Sequence, residues 1–160
     1  MPNQKSIKFE AVRDKNPFSA LGRAVSYLMT KPNFKDLPFG EWSRVLTGQV
    51  NRGHYFFVVE GESVVGFVGW ANVKEENALK WMDGAENISF DDSSDGDCII
   101  INGWAADTLS VNRFILHTIR NVIIDKKVYA KRFYKDGSTR AVRLGANAFV
   151  KGHLERQSIK

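Results

Sequence analysis

Apolar residues at Phe18, Leu21, Val25, Leu28 and Met29 recur at the three-and-four spacing of one helix face. Asn16-Pro17 ahead of them reads as an N-cap followed by proline in the first turn, and Lys31-Pro32 as the stop, predicting a helix over 17–30. After a short loop around Phe34, Pro38 opens a second helical pattern with Phe39, Trp42, Val45, Leu46 and Val50 on one side. Asn51-Arg52-Gly53 breaks it. The period then changes. Residues 54–60 and 63–73 are rich in Val, Phe and Trp and are separated by Gly61-Glu62. They read as paired strands, and apolar residues on both faces imply a sheet covered on both sides. A short helix over 75–82, an acidic loop over 91–97 and a third buried strand over 98–105 follow. Thr108 or Ser110 can cap the next helix, whose stripe is Val111, Phe114, Ile115, Thr118, Ile119 and Val122. Residues 128–133 and 139–144 alternate apolar with basic around Lys135-Asp136-Gly137-Ser138, a hairpin with one wet face. Residues 1–15 form an arm or first edge strand, and 145–160 a poorly patterned tail. The order describes one α+β domain spanning 1–160, a sheet layered with helices.

Composition narrows the class. The chain has 160 residues, 43% hydrophobic and 26% charged, which excludes a disordered tail or a fibrous repeat. Its longest apolar runs, 56–59 and 98–101, are far short of the roughly 18 residues of a membrane span. No apolar segment follows Met1-Pro2-Asn3-Gln4, so a cytoplasmic protein is expected. Cys98 is the single cysteine, leaving no internal disulfide or multi-cysteine zinc site. Charge is uneven: residues 1–107 carry 11 Lys and Arg against 15 Asp and Glu, and residues 108–160 carry 12 against 3. Such asymmetry points to a polyanionic or acidic partner for the last third, with a solvated charged face as the plain alternative. Lys127, Lys131, Arg132, Arg140 and Arg143 are the candidate partner-binding cations.

The residues declare no catalytic centre. Among His54, His117 and His153, none is spaced from another like metal ligands on one helix, so no metal site is expected. His54 opens a buried strand and suits a core or edge position, yet is the one histidine that could serve as a base. Cys98 opens an apolar strand, where a free thiol is ordinarily inert packing. The 91–97 carboxylates lack the closing acidic residue of a calcium loop. No phosphate-binding glycine motif occurs, and Asn102-Gly103-Trp104-Ala105-Ala106-Asp107 lacks the glycine-rich turn that holds the pyrophosphate of coenzyme A.

Five segments in order carry a resemblance. They are Leu21-Gly22 with Val25-Ser26-Tyr27-Leu28; Val65-Gly66-Phe67-Val68-Gly69-Trp70-Ala71-Asn72 followed by Glu75-Glu76-Asn77-Ala78; Ser94 with Gly96-Asp97; Trp104-Ala105; and Ala130-Lys131-Arg132 with Lys135-Asp136-Gly137. From about Phe18 to Arg143 the chain resembles the RTX-toxin-activating lysine acyltransferases, bacterial cytoplasmic proteins with an acetyltransferase-like fold. The resemblance implies a GNAT-like, mixed but mostly antiparallel sheet covered by helices on both faces. It also implies transfer of a fatty acyl group from acyl carrier protein to lysines of a toxin-like protein, no cofactor beyond that donor, and a homodimer as one arrangement.

The implied catalysts are a histidine after the first helix and an aspartate on the third strand. Here Phe34 stands at the histidine position and Asn102 at the aspartate position, so the usual pair is not intact. Neither side chain can take a proton or carry a charge. Three readings follow. One is an active acyltransferase with a substitute base such as His54 or a residue on the acidic loop. The second is a pseudoenzyme that keeps binding of acyl carrier protein and docks it on the basic hairpin. The third is a nucleic-acid-binding or protein-interaction domain in which Tyr129, Phe133 and Tyr134 interleave with the cations.

Overall fold

The computed structural model describes residues 8–84, 95–123, 126–133 and 139–145. In chain order the elements are β1 (Phe9–Val12), α1 (Pro17–Leu28), α2 (Phe39–Arg52), β2 (Tyr55–Glu60), β3 (Ser63–Val73), α3 (Glu75–Met82), β4 (Cys98–Ala106), α4 (Leu109–Val122), β5 (Lys127–Phe133) and β6 (Thr139–Gly145). The strands form one six-stranded sheet in sequential order. Neighbours are antiparallel except β4 and β5, which run parallel because α4 carries the chain back between them. This mixed, mostly antiparallel sheet with helices on both faces is the acetyltransferase-like layout expected from the sequence.

Local chemistry explains the boundaries. Asn16 Oδ1 accepts from the backbone N–H groups of Phe18 and Ser19, starting α1 as expected. The helix ends at Leu28, two residues before the predicted stop, because the Lys31 N–H already bonds back to Leu28 O in a tighter turn. Gly53 closes α2 in the left-handed conformation at φ 71°, which favours glycine, and its N–H reaches the Gln49 and Val50 carbonyls. Of the two candidate caps for α4, Thr108 is the one used: its Oγ accepts from Val111 N–H. The arm contributes β1 as a true edge strand on β2. Residues 91–94 of the expected acidic loop, 134–138 of the expected hairpin turn and 146–160 of the expected tail lie outside the described residues.

Side-chain alternation sorts the core into two layers. On one face Phe56, Val58, Val68, Trp70, Ile99, Ile101 and Val128 meet Val111, Ile115, Leu116 and Ile119 of α4. On the other, Tyr55, Phe57, Val59, Phe67 and Ala105 meet Ala20, Ala24, Leu28, Leu46 and Val50 of α1 and α2. The same face continues as Ala71, Val73, Cys98, Ile100 and Tyr129 under Ala78 of α3. The wet face expected for the hairpin is therefore not found at the start of β5. Tyr129 is fully buried, its hydroxyl donates to Glu75 Oε1, and Lys131 rests on the Trp81 ring, so α3 covers that face.

Candidate functional site

A groove of about 480 Å³ opens between the α1–α2 connector and the corner where β4 turns into α4. Lys31, Pro32, Asn33 and Phe34 form one wall, and Trp104 to Leu109 with Asn112 form the other. The connector folds as consecutive turns, with Phe34 N–H and Lys35 N–H both bonded to Lys31 O and Leu37 N–H to Phe34 O. This holds the Phe34 ring against the α1–α2 side of the core. Opposite, Trp104 Nε1 donates to Asn112 Oδ1 at 2.8 Å and ties the end of β4 to the first turns of α4. Leu109, 59% exposed, adds an apolar surface at the lining.

The polar part of the groove centres on Asp107. Its carboxylate accepts from the Tyr27 hydroxyl at 2.9 Å and pairs with Lys31 Nζ at 2.6 Å. The ammonium also lies 4.3 Å from the centroid of the Tyr27 ring. Burial first, and then the neighbouring carboxylate, hold the Tyr27 phenol far above its ordinary pKa, so it acts as a donor and stays protonated.

Asn102 sits deeper on the same sheet face. Gly69 pairs with Gly103 and Trp70 with Ile101, so Asn102 is the extra residue of a β-bulge, and its Oδ1 accepts from Gln49 Nε2 of α2. Gln49 is fully buried and fills the space that Gly69 leaves by having no Cβ; Gln49 Oε1 has no hydrogen-bond partner among the described residues.

His54 stands apart from the groove. Its ring stacks on Trp70 with centroids 5.9 Å apart, its Nδ1 accepts from Arg52 Nε, and its Nε2 lies 3.5 Å from Asn72 Nδ2. None of these neighbours lines the groove. Burial, with the charges of Arg52, Arg13 and Lys126 adding to it, pushes the imidazole from 6.5 down to about 4. A base that weak is neutral at pH 7 and far from the matched value that proton transfer favours.

Of the candidate binding cations, Lys127 pairs with Glu75 at 3.0 Å and Lys131 lies 4.3 Å over Trp81, partly desolvated with its pKa lowered. In the backbone register of β5 and β6, Arg132 is paired with Arg140 and Tyr129 with Arg143. Cys98 is buried, and burial, with the charges of Asp97 and Glu75 behind it, raises its thiol to about 11, which suits inert packing. Among the described residues there is no group of three or more His, Cys, Asp or Glu that could hold a metal, and no helix long and apolar enough to cross a membrane.

Of the two positions at which the family resemblance implies the catalytic pair, Phe34 lines the groove and Asn102 does not, while Tyr27, Lys31, Asp107 and Gln49 were not singled out from the sequence as site residues. Gln49 had a legible signal, a polar residue within the apolar stripe of Leu46 and Val50. The Lys31–Asp107 pair had none, since its partners are 76 residues apart.

The layered mixed sheet, with a groove at the β4–α4 corner, is an α+β domain. The RTX toxin acyltransferase family, HlyC, matches residues 13–144, and this chain belongs to that family. No curated protein matches it. Among solved structures it is similar to GphF, a GNAT-like decarboxylase in complex with isobutyryl-CoA, at 15% identity and a TM-score of 0.49 over 80% of this chain and 67% of that one.

Proposed function

We propose that this protein takes the acyl thioester of an acyl carrier protein into the β4–α4 groove, without the histidine–aspartate pair that would drive transfer to a lysine of another protein. The observation that carries the reading is the groove itself, about 480 Å³ and within the usual range of ligand pockets, in a chain of this family. Phe34 and Leu109 give it apolar surface suited to an acyl chain. A carrier-bound thioester fits better than free coenzyme A. The first turn of α4 is closed by Thr108 and flanked by the Lys31–Asp107 ion pair, so a diphosphate there would meet no net positive charge. A carrier keeps its single phosphate at the protein surface. The cations of β5 and β6, Lys127, Lys131, Arg132, Arg140 and Arg143, supply complementary charge for an acidic carrier, acting chiefly on encounter rate.

Loss of a positioned base costs roughly 10²–10⁴ in rate. The decisive comparison is therefore between the natural protein and the double variant Phe34→His/Asn102→Asp. Each is incubated with long-chain acyl carrier protein and a lysine-bearing peptide, and peptide mass is followed with time. The natural protein should stay close to the protein-free blank, and the double variant should exceed it by roughly a hundredfold or more. A folded double variant no faster than the natural protein would contradict the roles given to positions 34 and 102. Rapid peptide acylation by the natural protein would mean that another base serves, with His54→Ala as the next variant.

A further inference from the structure

We propose that the end of the sheet away from the groove holds a binding site for a tetrahedral dianion, phosphate or a phosphate monoester, built by Arg13, His54, Asn72 and Lys126. The four come from separate segments: the end of β1, the residue before β2, β3 itself and the entry to β5. None of them lines the groove. Asn72 is in register with Ile99 near the start of β4, whereas the groove takes Trp104 to Ala106 at its end. The electrostatics at His54 are one-sided. Besides burial, the groups that lower its pKa are Arg52, Arg13 and Lys126, all cations, and no carboxylate among the described residues offsets them. Arg13 Nε donates to Tyr55 O at 2.6 Å and Lys126 Nζ to Gly96 O at 3.1 Å, so both meet neutral carbonyls and neither forms an ion pair with a described residue. Asp14, next to Arg13 in the chain, is turned to Arg23 and Ser19. Ionised donors gathered without an acidic partner suit an anion, with which they form the stronger, charge-assisted hydrogen bonds.

The hydrogen bonds point the same way. Arg52 Nε only donates, so His54 Nδ1 accepts and the neutral ring carries its proton on Nε2. Nε2 lies 3.5 Å from Asn72 Nδ2, which is also a donor, so two N–H groups stand side by side. One oxygen of the anion takes both, and the others are left for Arg13 and Lys126. Turning the Asn72 amide would satisfy Nε2–H without any ligand, and then no anion should alter His54. The Trp70 indole sets the frame: His54 stacks on it with planes 10° apart, and Arg13 Cζ lies 5.9 Å from its centroid. Arg13 is exposed and His54, Asn72 and Lys126 are half-buried, so a small anion reaches them from solvent. A bound dianion favours the imidazolium against the three cations, which couples binding to proton uptake by His54.

The test follows the three histidine rings of the whole protein by NMR, titrated downward from pH 7.5 at constant ionic strength in chloride, sulfate, phosphate or phenyl phosphate. Sulfate stays doubly charged throughout and so separates protonation of His54 from that of the ligand, while phenyl phosphate separates a monoester from the free ion. In chloride the His54 midpoint should lie at about 4. Sulfate and phosphate should each raise it by about one unit or more, equivalent to tenfold tighter anion binding by the protonated site, with His117 and His153 unmoved. Arg13→Ala and Lys126→Ala should each raise the anion concentration needed about tenfold. Should either variant fail to fold, the contrast between chloride and sulfate in the natural protein still decides. A shift with phenyl phosphate as large as with phosphate would uphold the site and assign it to monoesters; a smaller one would uphold it for the free ion. The same His54 midpoint in chloride and sulfate would overturn the proposal. Equal shifts of all three histidines, or a His54 shift undiminished in both folded variants, would also overturn it, because general screening would then account for the effect.

Discussion

Gln49 and Gly69 show how closely a single site is fitted. An added Cβ at Gly69 would occupy the same space as the end of the Gln49 side chain, which is buried and bonded to Asn102. Gly69→Ala should therefore cost about 1–3 kcal/mol by overpacking, read from urea denaturation. In a Gln49→Ala background the space is free, and the same change should cost much less. Strictly additive losses would contradict this packing. His54 gives a second residue-scale prediction. Its folded pKa of about 4 lies below its ordinary 6.5, so between those values the unfolded chain binds more protons and the folded state loses stability as pH falls. Melting temperatures of the natural protein should drop more steeply from pH 7 to pH 4.5 than those of His54→Gln. Parallel curves would contradict a neutral, desolvated imidazole.

At the scale of elements, α4 matters most because its start forms one wall of the groove. Thr108→Ala removes the acceptor for Val111 N–H and should lower stability by about 1 kcal/mol, measured by the same denaturation. An unchanged midpoint would mean that water replaces the cap without cost. The elements themselves were largely legible. β3 and α3 fall at 63–73 and 75–82 as expected, since their ends carry strong local signals in Gly61-Glu62 and in the polar run after Val73. The covering of β5 was not legible. Alternation of Val128, Tyr129, Ala130 and Lys131 looks like one dry and one wet face, and only tertiary packing reveals that α3 lies over the second. The same limit applies to the groove. Phe34 is placed by its order in the family resemblance, whereas Tyr27, Lys31 and Asp107 meet only after the sheet brings the ends of α1 and β4 together.

For the whole molecule, the charge division is the feature that bears most on partners. A net charge of +5 with the excess in the last third predicts carrier binding that weakens as salt rises, mainly through slower association. Glu at Lys131 and Arg132 should slow association at low salt without altering dissociation strongly. Identical on-rates would remove the β5–β6 face as the docking surface. Acyl binding is placed at one location, the groove between residues 31–34 and 104–112. The most direct measurement is hydrogen exchange of the protein with long-chain acyl carrier protein, set against the same carrier without its acyl group. Added protection is expected over both groove segments with the acylated carrier alone. Protection confined to β5 and β6 in both mixtures, or none at all, would contradict it.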